Sequence, residues 1–177
     1  MLKNSDSSYG TVSKIFHWVI SPLVIVMLIV GYFMMDISSQ SWKMTTVNLH
    51  KLTGIVILGL MVARLIWALN NPKPKLPSGT SFIEHLAEWS VHFLLYALII
   101  VQPIVGWVGS VAGGYVPHVG SFLLNLPIQK SKDLSDLCFK IHNTLAVVII
   151  VVVSLHVLAA LYHHFIRRDN VLKRMLF

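Results

Sequence analysis

The sequence predicts an all-α integral membrane protein, a four-helix bundle in a single domain spanning residues 1–177. Three observations predict it. The chain is 55% hydrophobic and 12% charged, with a mean hydropathy of +0.72, which is too apolar for a water-soluble domain of this size. Four long uncharged runs, Ile15 to Met35, Leu52 to Ala63 and on past Arg64, Trp89 to Gln129, and Ile141 to Ile166, supply the roughly 20 apolar residues that a membrane crossing requires. Histidines lie deep inside these runs, where an unpartnered imidazole costs several kcal/mol.

The first helix is expected at about 11–35. Lys3 and Lys14 before it resemble the basic start of a secretory leader, but 21 uncharged residues exceed a usual leader core and "GYFMMDISSQ" offers no small-x-small cleavage site. A retained helix is expected. The second, at about 42–69, ends in the proline-rich "NNPKPKLPSGT" of residues 70–80. The third occupies about 84–111, and Pro22 and Pro103 predict kinks in helices 1 and 3. Residues 112–134, with several glycines, two prolines and an apolar middle, suit a segment lying in the interface. A fourth helix at about 135–166 precedes a short tail, 167–177.

Basic residues set the orientation. Four crossings place both termini and the second loop on one side, with Lys3, Lys14, Arg64, Lys73, Lys75, Arg167, Arg168, Lys173 and Arg174, nine of the fourteen. The other side holds Lys43, Lys51, Lys130, Lys132 and Lys140. The positive-inside rule predicts cytoplasmic termini. The same bias accounts for the pI near 9.7 without nucleic acid as a partner. The single cysteine, Cys138, reads as a small apolar filler.

The histidines point to a cofactor. His142 and His156 are fourteen residues apart, about 40° short of four turns and about 21 Å along a helix, so they project from one face at two depths. Neutral imidazole is a common axial ligand of haem iron, and a macrocycle among four helices buries its rim in apolar side chains. Two haems stacked across the bilayer need this spacing. His17 lies near the depth of His156, and His50 near that of His142, which gives the pairs His17 with His156 and His50 with His142. Gly54, one turn beyond His50, removes a side chain where a porphyrin must approach. His92, at a depth similar to His17, is an alternative sixth ligand, or a hydrogen-bonded imidazole at a helix end. His85 and His118 read as interfacial or solvated.

The stretches "IFHWVISPLVIVMLIVGY", "LHKLTGIVILGLMVARLIW", "HFLLYALIIVQPIVGW" and "IHNTLAVVIIVVVSLHVLAALYHHFIRRDNVLKRM" together resemble the bacterial cytochrome b561 family of dihaem membrane proteins. The resemblance extends over nearly the whole chain. It implies two b-type haems, with His17, His50, His142 and His156 as ligands. It also implies oxidation of superoxide coupled to reduction of ubiquinone.

Superoxide is an anion that would arrive from the outer side, where Lys51 and Lys140 lie next to or two residues from histidines of the outer pair. Cations there would raise its local concentration, an effect that salt weakens. On the cytoplasmic side His163, seven residues beyond His156, continues the line of imidazoles and could bond a quinone carbonyl and supply a proton. His164 points about 100° away. Arg64, fourteen residues after His50, could pair with a haem propionate or snorkel to the headgroups. Three functions compete: a free-standing superoxide:quinone oxidoreductase, a dihaem subunit anchoring a dehydrogenase or hydrogenase as its protein redox partner, and a metal transporter. The last is weakened because no membrane carboxylates accompany the histidines.

Overall fold

The computed structural model describes residues 1–75 and 79–177. Four helices dominate it: α1 (Thr11–Phe33), α2 (Gln40–Leu69), α3 (Phe82–Ala112) and α4 (Lys132–Tyr162). At 23 to 31 residues, each is long enough to cross the roughly 30 Å hydrocarbon core. Only 6–11% of the most apolar window of each is buried within the protein. The remaining apolar surface faces outward, as lipid permits and water does not.

Local chemistry fixes the helix ends. Ser81 accepts a hydrogen bond from the Glu84 amide, and the Glu84 carboxylate accepts one from the Ser81 amide, a reciprocal cap that opens α3. Ser131 caps α4 by accepting from the Leu134 amide, so this helix starts three residues before the position 135 read from the sequence. Among the described residues no side chain caps the first turn of α1. Instead the chain folds back, and the Met1 carbonyl accepts from the Thr11 amide at 2.9 Å. The reversal needs Gly10, where a Cβ would lie 2.3 Å from the Leu2 carbonyl oxygen. At its far end α4 gives way at Tyr162 to a π turn, His163–Arg167, rather than running as an α-helix to 166. Arg168, in the left-handed region at φ 51°, then turns the tail back on the bundle. There Trp18 Nε1 donates to the Met175 carbonyl at 2.8 Å, and Lys14 donates to that of Leu176.

The proline-rich connection 70–80 falls partly outside the described residues. The segment 112–134 contains a small hairpin, β1 (His118–Val119) paired antiparallel with β2 (Phe122–Leu123) around Gly120 at φ 57°. The Asn48 side chain bonds both the amide and the carbonyl of His118, and Trp107 Nε1 donates to the Leu124 carbonyl, fastening the hairpin across α2 and α3.

Consecutive helices pack on one another, α3 against α4 most closely, while α1 and α2 approach α4 less closely. The core is a short apolar plug of Ile20, Val24, Ile57, Met61 and Ile149. Ile149 lies seven residues from both His142 and His156, so the plug divides the bundle into two polar levels.

Candidate functional site

Each level holds a pair of imidazoles facing one another from different helices. His17 on α1 and His156 on α4 have ring centres 6.2 Å apart; His50 on α2 and His142 on α4 have theirs 6.3 Å apart. Two imidazoles bonded to opposite sides of one metal ion, through metal–nitrogen bonds of about 2 Å, have ring centres about 6 Å apart. The spacing fits an iron between the rings. Among the described residues no group of three or more histidine, cysteine, aspartate or glutamate side chains is gathered as a metal cluster. Two protein ligands per level suit a metal whose other ligands come from a macrocycle.

The outer level, beside the hairpin, is built for close approach. His142 Nδ1 donates to the Gln102 carbonyl at 3.0 Å, and Gln102 Nε2 donates back to the His142 carbonyl at 3.0 Å. A carbonyl only accepts, so the proton is on Nδ1 and Nε2 keeps its lone pair for a metal. Two glycines make room for the rings. A Cβ on Gly106 would lie 2.8 Å from His142 Cε1, and one on Gly31 would lie 3.1 Å from His50 Cε1. Among the described residues His50 Nδ1 is buried without a hydrogen-bond partner, so no protein group fixes the tautomer of this ring. Gly54 faces Pro103 and Met27, where a Cβ would meet ordinary contacts at 3.7 and 4.0 Å.

The inner level, beside the termini, is cushioned by polar side chains. Arg64 is half-buried and turned inward, with its guanidinium 5.4 Å from the Tyr96 ring centre and Nη2 3.4 Å from His17 Nδ1. It does not reach for the headgroups. Because arginine only donates, His17 Nδ1 accepts in this arrangement; a metal on Nε2 would shift the proton to Nδ1 and turn Arg64 away. His92 is 5.4 Å from the His156 ring, and its Nδ1 is bonded to the Glu88 carbonyl at 2.7 Å and lies 3.1 Å from the Glu88 carboxylate. Lys73 also pairs with Glu88, at 2.6 Å. Tyr9, just before α1, completes this level. Burial first, and then the charges of Glu88 and Tyr96, hold its phenol at about 12 against the opposing pull of Arg64 and Arg174, so it stays neutral.

The remaining residues singled out in the sequence are distributed as follows. Lys51 is half-buried: its Nζ donates to the Tyr115 carbonyl at 2.8 Å and stands 5.8 Å from the Tyr115 ring centre, so it ties the loop before the hairpin to α2. Lys140 is exposed. His163 is half-buried at the start of the π turn, with Nδ1 2.5 Å from an Asp169 carboxylate oxygen. Partial burial raises the Asp169 pKa, but the hydrogen bonds from His163 and the Val171 amide outweigh it and leave the carboxyl below its ordinary range. Arg167 reaches Glu84 of α3 at 3.0 Å. His164 Nδ1 is buried without a hydrogen-bond partner among the described residues. Gly31, Gly106, Gln102 and Asp169 escaped the sequence reading. For Gly106 a signal existed, a glycine one turn beyond Pro103 at a depth matching His142.

Comparison with known proteins agrees with this architecture. The family model described as prokaryotic cytochrome b561 matches residues 8–177. The chain is 32% identical to "Cytochrome b561 homolog 2" of Escherichia coli (strain K12) over 175 residues, which is 98% of this chain and 93% of that protein. It is 30% identical to "Probable superoxide oxidase CybB" of Yersinia pestis over 174 residues, 90% of each chain. It is 27% identical to "Cytochrome b561 homolog 1" of E. coli over 127 residues, 72% of each. Four membrane-length helices, two facing imidazole pairs and a match along nearly the whole chain lead to one conclusion: the protein belongs to the prokaryotic cytochrome b561 family and is a multi-pass bacterial membrane cytochrome of the b-haem type.

Proposed function

We propose that the protein is a superoxide:quinone oxidoreductase holding two b-type haems, one between His17 and His156 and one between His50 and His142. The observation that carries this reading is the pair of imidazole–imidazole spacings, 6.2 and 6.3 Å, at two depths separated by an apolar plug. A relative 30% identical, named as a probable superoxide oxidase, supports the choice of substrate. When bound, the haems supply one-electron exchange at each level, so that two superoxide anions, one quinone and two protons yield two dioxygen molecules and one quinol.

The chain's own residues bind, steer and protonate. Exposed Lys130 and Lys140 near the hairpin attract the superoxide anion toward the outer level, and Lys51 adds its charge from beneath Tyr115. Ubiquinone or a related quinone is reduced at the opposite end, which faces the cytoplasm, where His163 hydrogen-bonds a quinone carbonyl and gives it a proton. Arg64, which has no carboxylate partner among the described residues, turns to a propionate of the inner haem. The test is a reduced-minus-oxidised visible spectrum with haem counted per chain, followed by superoxide-driven quinone reduction by the purified protein. Two haems per chain and salt-sensitive turnover are expected. A single haem, or turnover that needs a co-purifying iron–sulfur protein, would refute the reading.

A further inference from the structure

The sequence places His163 and Asp169 six residues apart, where an ordinary α-helix would not bring their side chains together. The π turn His163–Arg167 and the left-handed Arg168 do, closing the His163 Nδ1 to Asp169 Oδ2 contact at 2.5 Å. Asp169 is itself held, because its other oxygen accepts from the Val171 amide at 2.9 Å and its own amide donates to the His163 carbonyl at 3.1 Å. Across the turn, Arg167 ties the segment to Glu84 of α3. The charged groups around the imidazole are therefore Asp169 from the tail, Arg167 from the turn and Glu84 from α3. Both members of the contact are mostly enclosed, with side chains 22% and 19% exposed. The second ring nitrogen, Nε2, is not among the buried atoms without partners.

We propose that Asp169 is a positioning residue for quinone reduction: it keeps a proton on His163 Nδ1, so that the transferable proton is the one on Nε2. This rests on the reading of His163 as the proton donor. In the step, the Nε2–H bond of the imidazolium breaks and an O–H bond forms on the quinone carbonyl oxygen. The N–H electron pair stays on Nε2, and the reducing electrons come from superoxide. Solvent returns the proton to the imidazole. A carboxylate only accepts hydrogen bonds, so the ring left behind is always the Nδ1–H tautomer, with Nε2 ready for the next proton. An amide in place of the carboxylate can donate to Nδ1 and hold the ring as the Nε2–H tautomer, which releases that proton poorly. The same substitution beside a catalytic histidine is strongly inhibitory in serine proteases.

The test is Asp169→Asn in the full-length, haem-loaded protein, because asparagine retains an oxygen for the Val171 amide. The expected result is a wild-type haem spectrum, unchanged reduction of haem by superoxide, and a kcat for quinone reduction lower by about tenfold or more with KM little altered. Nitrogen NMR of histidine-labelled protein should show His163 changing from the Nδ1–H to the Nε2–H form. Wild-type turnover in Asp169→Asn, or an unchanged tautomer, overturns the proposal. His163→Ala separates the two levels of inference. If His163→Ala abolishes quinone reduction while Asp169→Asn does not, Asp169 alone loses its role; if His163→Ala leaves quinone reduction intact, both readings fall.

Discussion

The two imidazole pairs have almost the same spacing yet are built in opposite ways. The outer pair sits on backbone: Gly31 and Gly106 give the rings space, and the Gln102 carbonyl orients His142. The inner pair sits among side chains, Arg64, Tyr96 and His92, with Glu88, Lys73 and Tyr9 beyond them. A backbone seat is set by helix packing and has little freedom to adjust. A side-chain cushion carries charge that can respond to an electron arriving or leaving. The difference suggests that the outer level is tuned by shape and the inner level by electrostatics.

Removing a ring from either level should give the largest effect. His142→Ala is expected to lose one haem per chain and leave the inner signal in place, and His17→Ala the reverse, as measured by haem content and the split of the reduced spectrum. Loss of both signals from either variant would show that the levels fold as one unit. Next is the seat itself. Gly106→Ala places a Cβ 2.8 Å from the His142 ring and should deplete the outer haem, with a stability cost of about 1–3 kcal/mol, while Gly54→Ala meets only contacts of 3.7 Å or more and should be better tolerated. Equal haem loss in the two variants would remove the distinction between them.

The electrostatic half of the comparison is tested by Arg64→Leu. Loss of a cation disfavours the added electron, so the inner potential should fall by several tens of millivolts, about 59 mV corresponding to tenfold for one electron, while the outer potential stays within error. Redox titration followed optically distinguishes this from a uniform shift. The smallest effect concerns acid. The folded-state pKa of Asp169 is below its ordinary value of 3.8, so its contribution to stability is present above that value and is lost as pH falls through the folded pKa. The hairpin is fastened by amide, indole and ammonium donors to carbonyls and by one amide-to-amide bond. As pH falls below about 4 the tail should therefore loosen before the hairpin, and hydrogen exchange of the Val171 and Leu124 amides would report the order. Exposure of Leu124 first would contradict it.

What could be read without coordinates was whatever depends on period and composition. Four apolar runs fix four crossings, because a buried backbone in lipid must bond to itself. A fourteen-residue interval between His142 and His156 fixes a shared face and two depths, because a helix repeats every 3.6 residues. The Ser81 and Ser131 caps lay outside that reading, although both are short-range chemistry. Contacts between helices had no such signature. Arg64 could turn inward or outward by rotating a few bonds, and only Tyr96 and His17 across the bundle decide for inward. His92 stands at the depth of His17, and only the packing of α3 shows that Glu88, one turn away, engages its Nδ1 and so fixes the ring. Gly106 matters because α4 brings a ring against it, and Asp169 because a π turn closes on His163. Thus the chain by itself determined the number of crossings and the levels of the histidines, since these follow from local geometry and the cost of polar groups in lipid. The tertiary structure decided which side chains seat, charge and orient the rings, since those contacts join residues dozens of positions apart, Arg64 and His17 among them at 47, whose approach no local period encodes.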